Sequence, residues 1–219
     1  MIVDALRAST TVVAALEVGA TRVIPVLTVQ EANGYLGKPG YRVAGERGGA
    51  RLDQFHYGNS PSEMCAHKEE IAGRVVVLTT SNGTRCMNAA LPGAASLLAG
   101  SVVNASALAS MALALAQRHR CGITLVAAGL EGKPAVEDAF AVGLLAWRLA
   151  RMGAVLSEGI PEVREQDSLG VFLGSEPAAR LTALGYAQDV RLCAQVDLWD
   201  TVPMHVGGGF VAGNVDGSL

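Results

Sequence analysis

Apolar positions fall into short clusters separated by polar, glycine-rich joints, and the spacing inside each cluster predicts an element. Val12, Val13, Ala15 and Leu16 form a helical stripe over residues 9–19, with Ser9 and Thr10 as candidate caps and Gly19 as the stop. Residues 22–27 read as a strand, in which Pro25 favours an edge or an end. A short helix over 29–36, a short strand over 41–44 and a polar turn over 45–50 follow. Ser60, Pro61 and Glu63 make a capping-box pattern, so Gly58-Asn59-Ser60 is a loop feeding a helix N-terminus. Residues 74–80 form the clearest strand, and their unbroken apolar run predicts burial on both faces, as in a parallel sheet.

The second half repeats the alternation. A helix runs through Leu91 to the stop at Pro92-Gly93, and residues 96–99 suit a strand. Asn104 is the expected cap of an alanine-rich helix over 105–117. A buried strand is expected over 123–128, and a helix from about 135 to 152. Residues 157–187 read as a helical outer layer, with helices over 165–173 and 176–184 parted by Gly174. The alternating 189–197 reads as a late strand, and the glycine-rich 202–211 as an extended edge or a loop. Strands alternating with helices predict an α/β protein, layered α/β/α with a largely parallel or mixed sheet. We expect one catalytic unit over 1–219, which can divide into two similar lobes at about 1–70 and 71–219.

Ligands in such sheets lie beyond the C-terminal strand ends, so the loops 4–11, 79–85 and 129–138 are expected to converge. Two of these loops look alike. Each follows a strand, carries hydroxyls and an arginine, and enters an alanine-rich helix, which raises an internal duplication. Only Met1-Ile2-Val3 precede Asp4, so the first strand is short or its beginning lies outside this sequence.

Composition narrows the chemistry. Half of the 219 residues are hydrophobic, 17% are charged and the mean hydropathy is +0.33, which suits a well-buried globular protein. A net charge of −3 and a pI near 5.8 give no reason to expect nucleic-acid binding. No apolar span reaches membrane length and no signal peptide is visible, so no membrane partner is expected. The four cysteines form no C-x-x-C pair and are expected as reduced thiols of a cytoplasmic protein. Neither a P-loop nor a G-x-G-x-x-G turn is present. No cysteine has an arginine six residues later, and Asp4 lacks a second acid two residues on. The four histidines form neither H-x-H nor H-E-x-x-H, which argues against zinc hydrolysis.

The remaining candidates are oxygen-rich: Asp4, Glu46, Glu63, Glu131, Glu137 and Asp138 lie near loops. Oxygen ligands without histidine suit Mg²⁺. Glu63 is better explained as a capping acid, and Glu137 and Asp138 serve equally as helix-dipole partners. Asp4 is harder to explain structurally, because a buried acid at a strand end needs a partner. Arg7 and Arg85 lie among hydroxyls just before helices, where an arginine either contacts an oxyanion or makes an ion pair.

Together these motifs resemble the 2-phosphosulfolactate phosphatase family. The matching segments are Val3-Asp4-Ala5-Leu6-Arg7-Ala8-Ser9-Thr10-Thr11, Gly45-Glu46-Arg47, Phe55 with Gly58-Asn59-Ser60-Pro61-Ser62-Glu63, Thr79-Thr80-Ser81-Asn82-Gly83-Thr84-Arg85, Val103-Asn104-Ala105 and Glu137-Asp138. The likeness runs in order from residue 3 to about 145 and thins towards Asp197 and Pro203. It implies Mg²⁺-dependent hydrolysis of 2-phospho-3-sulfolactate, a small anionic phosphorylated substrate, to sulfolactate and phosphate, a step of coenzyme M biosynthesis in methanogens. It also implies an α/β/α sandwich and a homo-oligomer, most simply a dimer.

Carried over by position, the resemblance makes Asp4, Arg7, Glu46 and Arg85 catalytic and Asp4, Glu137 and Asp138 metal ligands. Ser9, Thr10, Asn59, Ser60, Thr80, Asn82, Gly83 and Thr84 become substrate contacts. Ala5 and Ser81 depart mildly from the family pattern. The attacking group is either a metal-bound water or Asp4 itself. A phosphatase of another phosphorylated 2-hydroxy acid, or a non-catalytic anion-binding protein of the same fold, are the competing readings.

Overall fold

The computed structural model of the chain describes residues 1–213. Its elements run β1 (Ile2–Val3), α1 (Ala8–Glu17), β2 (Arg22–Pro25), α2 (Val29–Asn33), β3 (Tyr41–Arg47), β4 (Ala50–Arg51), α3 (Pro61–Ala66), α4 (Lys68–Ile71), β5 (Val75–Thr79) and α5 (Gly83–Ala90). There follow β6 (Ala99–Gly100), α6 (Ala105–His119), β7 (Val126–Ala127), α7 (Val136–Arg151), α8 (Ser168–Leu173), α9 (Glu176–Ala183), α10 (Ala187–Cys193), β8 (Val202–Val206) and β9 (Gly209–Gly213).

Strands collect into two sheets, ordered β6-β1-β7 and β4-β3-β5-β2-β9-β8. The first is parallel throughout, with Ile2 opposite Ala99 and Val126. In the second, β5 runs parallel to both β3 and β2, while β4, β9 and β8 close the edges antiparallel. The mixed sheets and flanking helices are the layered α/β architecture expected. The six-stranded sheet draws strands from both sides of residue 70. An antiparallel bridge between Leu98 and Met204 joins the two sheets at their edges. No helix among the described residues is long and apolar enough to cross a membrane.

β1 and β5 occupy matching places. Each is the middle strand of a parallel trio, and each feeds a helix that leaves for the other sheet: α1 leads to β2, and α5 leads towards β6. Every residue of α1 from Ala8 to Leu16 is buried. A helix buried all round belongs in the middle of a molecule, and α1 packs on both sheets as well as on α3 and α5.

Four expectations are corrected. The buried strand expected over 123–128 is only Val126–Ala127, and neither residue is buried. Residues 187–193 form helix α10, not a strand. Val190, Leu192, Ala194 and Val196 alternate, but the buried positions are 189, 190, 193 and 194, a helical spacing. Neither Ser9 nor Thr10 caps α1; the Asp4 carboxylate takes the Ala8 N–H instead (2.9 Å). Asn104 makes no side-chain bond to cap α6. It completes a reciprocal capping box with Ser101 around the 3₁₀ turn over Val102–Asn104. Pro25 ends β2, and Ser60 caps α3 by accepting from the Glu63 N–H, as expected.

Candidate active site

Asp4 follows β1 directly and is only 7% exposed. Its Oδ1 accepts from the Ala8 N–H at the start of α1, and its Oδ2 faces the start of α5. A Cβ on Gly83 would lie 2.6 Å from that Oδ2 and 2.5 Å from the Ala8 Cβ, so only glycine allows the two helix ends to close on the acid. Burial pushes the Asp4 carboxyl from 3.8 to about 6; the neighbouring charges of Glu46 and Glu137 add to this, while the Ala8 N–H and Arg7 oppose it.

α7 brings its first turn to the same place. Asp138 accepts from the Ala5 N–H (2.7 Å) and the Gly129 N–H (2.9 Å), tying β1, β7 and α7 together. Burial, then the charge of Asp4, holds its carboxyl well above the usual range against the pull of those two amides. Glu137 is 2% exposed, and its Oε2 is buried with no hydrogen-bond partner. Burial also raises its pKa. Three helix N-termini thus surround a cluster of carboxylates, and such ends attract anions.

Glu46 joins two loops. Its Oε2 accepts from the Gly49 N–H (2.7 Å) and its Oε1 from the Ser81 N–H (2.7 Å). Thr80 and Thr84 lock the entry to α5: the Thr84 N–H donates to Thr80 Oγ1 (3.1 Å), and the Thr84 hydroxyl donates to the Thr80 carbonyl (3.2 Å). The Asn82 side chain makes no capping bond. Asn59 is buried with its Oδ1 unpartnered. Ser60 bonds Asp189 (2.8 Å).

The remaining candidates divide. The Ser9 hydroxyl donates to the Ile2 carbonyl and accepts from the Asp4 N–H. The Thr10 hydroxyl donates to the Ala5 carbonyl and shares a bond with Ser101. Both hydroxyls are therefore engaged in holding the loop. Arg7 is 3% exposed; it pairs with Asp189 (2.7 Å), donates to the Gly49 carbonyl (2.7 Å) and stacks on Tyr186. Arg85 is exposed and makes no side-chain hydrogen bond or ion pair among the described residues.

A family model described as 2-phosphosulpholactate phosphatase matches residues 1–208. This chain belongs to the 2-phosphosulfolactate phosphatase family. A probable 2-phosphosulfolactate phosphatase of Thermotoga maritima is 36% identical over 215 residues, 96% of this chain and 90% of that protein. The 2-phosphosulfolactate phosphatase of Methanothermobacter thermautotrophicus is 36% identical, covering 95% of this chain and 87% of its own. A probable 2-phosphosulfolactate phosphatase of Thermus thermophilus is 35% identical, covering 93% and 86%.

Mg²⁺, the metal that the resemblance to the 2-phosphosulfolactate phosphatase family implies, fits the donor set. No three His, Cys, Asp or Glu among the described residues are grouped closely enough to enclose an ion alone. Mg²⁺ needs fewer, because it takes one or two protein carboxylates and completes its shell with water and phosphate. Glu137 has a buried oxygen without a partner, and the Ala8 bond occupies only one oxygen of Asp4.

Reading the sequence missed Asp189 and Tyr186, which hold Arg7. Asp189 lies 182 residues from Arg7, and the alternating stretch around it hid its helix. Its only local signal is an acid in a helix's first turn, a common pattern.

Proposed function

We propose that this chain hydrolyses 2-phospho-3-sulfolactate to 3-sulfolactate and phosphate, with Mg²⁺. Family membership supports the substrate class, and the observation that carries the chemistry is the meeting of the α1, α5 and α7 N-termini on the buried carboxylates Asp4, Glu137 and Asp138. Asp4 and Glu137 would hold Mg²⁺, with Asp138 fixing the backbone beneath them. The metal would supply positive charge against the phosphoryl oxygens. The backbone amides opening α5 would orient the phosphoryl group, and Arg85 would bind an anionic end of the substrate. Glu46 would hold the Gly49 and Ser81 turns in register around that group.

Site segments come from residues 4–10, 46, 59–60, 80–85 and 137–138, so the chain would work as one catalytic unit. Its oligomer would be a homodimer, which light scattering tests. The deciding experiment measures phosphate release from 2-phosphosulfolactate, 2-phospholactate and 2-phosphoglycerate, each with Mg²⁺ and with a chelator. Preference for phosphosulfolactate and dependence on Mg²⁺ are expected. Equal rates with 2-phospholactate would move the substrate assignment to phosphorylated 2-hydroxy acids in general. Phosphate binding without any release would favour an anion-binding protein.

A further inference from the structure

Asp189 is fully buried on α10, outside the converging loops, and both of its carboxylate oxygens are hydrogen-bonded. Oδ2 takes the Arg7 guanidinium (2.7 Å). Oδ1 accepts from the Ser60 hydroxyl (2.8 Å), the Ser62 N–H (3.0 Å) and the Ser62 hydroxyl. The contacts continue from there. Arg7 passes to the Gly49 carbonyl, the Gly49 N–H passes to Glu46, and the other oxygen of Glu46 takes the Ser81 N–H. Gly49 is thus gripped at both its N–H and its carbonyl. Its φ of +89° favours glycine, and a Cβ there would meet the side chains of Leu184 (3.2 Å) and Leu181 (3.5 Å).

One buried polar chain therefore runs from α10 through Arg7, the β3–β4 turn and Glu46 to the turn that opens α5. We propose that Asp189 is a positioning residue: by holding Arg7 against the start of α3, it fixes through Gly49 and Glu46 the Ser81 turn that presents the α5 N-terminus to the substrate. Buried hydrogen-bonded networks hold their members in one arrangement when every member is satisfied. Each link here has its partner within 2.7 Å. The inference rests on the phosphatase reading above.

Asp189→Asn keeps the size of the side chain and an acceptor for Ser60 and Ser62, and removes the charge that holds Arg7. The test measures kcat and KM for 2-phosphosulfolactate with Mg²⁺, the inhibition constant of inorganic phosphate, and the folded fraction. Loss of positioning is expected to raise KM and the phosphate inhibition constant by about tenfold, because small misplacement of a binding group has effects of this size. A merely structural role would lower the active fraction, and with it kcat, at unchanged KM. Ser62→Ala is the milder variant, since it leaves the Arg7–Asp189 pair intact; its KM is expected to rise about twofold to threefold, in line with one lost hydrogen bond. Pairing Asp189→Asn with Glu46→Gln should give losses well short of additive, because both sit on one chain.

Unchanged KM and phosphate inhibition in Asp189→Asn and Ser62→Ala, or strict additivity with Glu46→Gln, would overturn the proposal while the wild-type chain remains active. A wild-type chain that releases no phosphate overturns the phosphatase reading and this proposal with it.

Discussion

The loop after β1 and the loop after β5 are nearly the same sentence in sequence and opposite objects in space. Both leave the middle strand of a parallel trio, both carry hydroxyls and one arginine, and both open a helix. In the first, nearly everything is spent on structure: Ser9 and Thr10 bond backbone carbonyls, and Arg7 is sealed against Asp189, Gly49 and Tyr186. In the second, Thr80 and Thr84 lock the turn and leave Arg85 exposed, with no side-chain partner among the described residues. Arginine beside a helix start signals an anion in both loops, and only burial separates the two meanings. A guanidinium that is already paired and stacked holds the loop; an exposed one with no partner among the described residues is open to solvent.

The comparison breaks first at Asp4. Asp4→Asn is expected to abolish phosphate release, and near-wild-type turnover would remove the first loop from the chemistry altogether. Arg7→Met should lower unfolding stability by about 3–5 kcal/mol in urea titration, since it strands the buried Asp189 charge. A loss of activity at full stability would instead make Arg7 a substrate contact.

Acidity supplies the next test. Asp4 rises from 3.8 to about 6, and Glu137 and Asp138 rise too, so the folded chain binds more protons than the unfolded one between these values. In chelator, stability should therefore be greatest near pH 4 in this respect and fall as pH climbs through about 6. Asp4 contributes up to about 3 kcal/mol to the total decline across that window. Thermal melts from pH 4 to 7 should show the decline, flattened in Asp4→Asn. A slope unchanged by that substitution would show that Asp4 is not the strained group.

The smallest stability effect belongs to the second loop. Arg85→Ala should change stability by no more than about 0.5 kcal/mol, as for other surface substitutions. It should raise KM by about tenfold, the worth of one charged hydrogen bond. An unaltered KM would leave both arginines structural.

Much of the scaffold was legible because it is local. The capping at Ser60, the buried run of β5 and the glycine-rich joints each occupy a few consecutive residues. What was not legible is what depends on partners far along the chain. Arg7 reads as an anion contact until Asp189 is placed beside it, and Asp189 was hidden by an alternation that α10 does not use. Glu46 likewise shows nothing in its neighbours of its bond to Ser81, 35 residues away. The Asp4 cap on α1 was missed for a different reason: a carboxylate four residues before the Ala8 N–H lies outside the usual capping spacing.

The two-residue strand β1 sets a timetable. Ile2 and Val3 have no ladder partner until Ala99 and Gly100 exist, and none on the other side until Val126 and Ala127. Arg7 waits longer still, for Asp189. Residues 2–7 are thus among the last of the described residues to settle, so a nascent chain carries the Asp4 carboxylate unassembled until most of residues 1–189 have emerged. Chains halted before residue 126 should leave Asp4 open to protease attack nearby, while those carried past 189 should protect it.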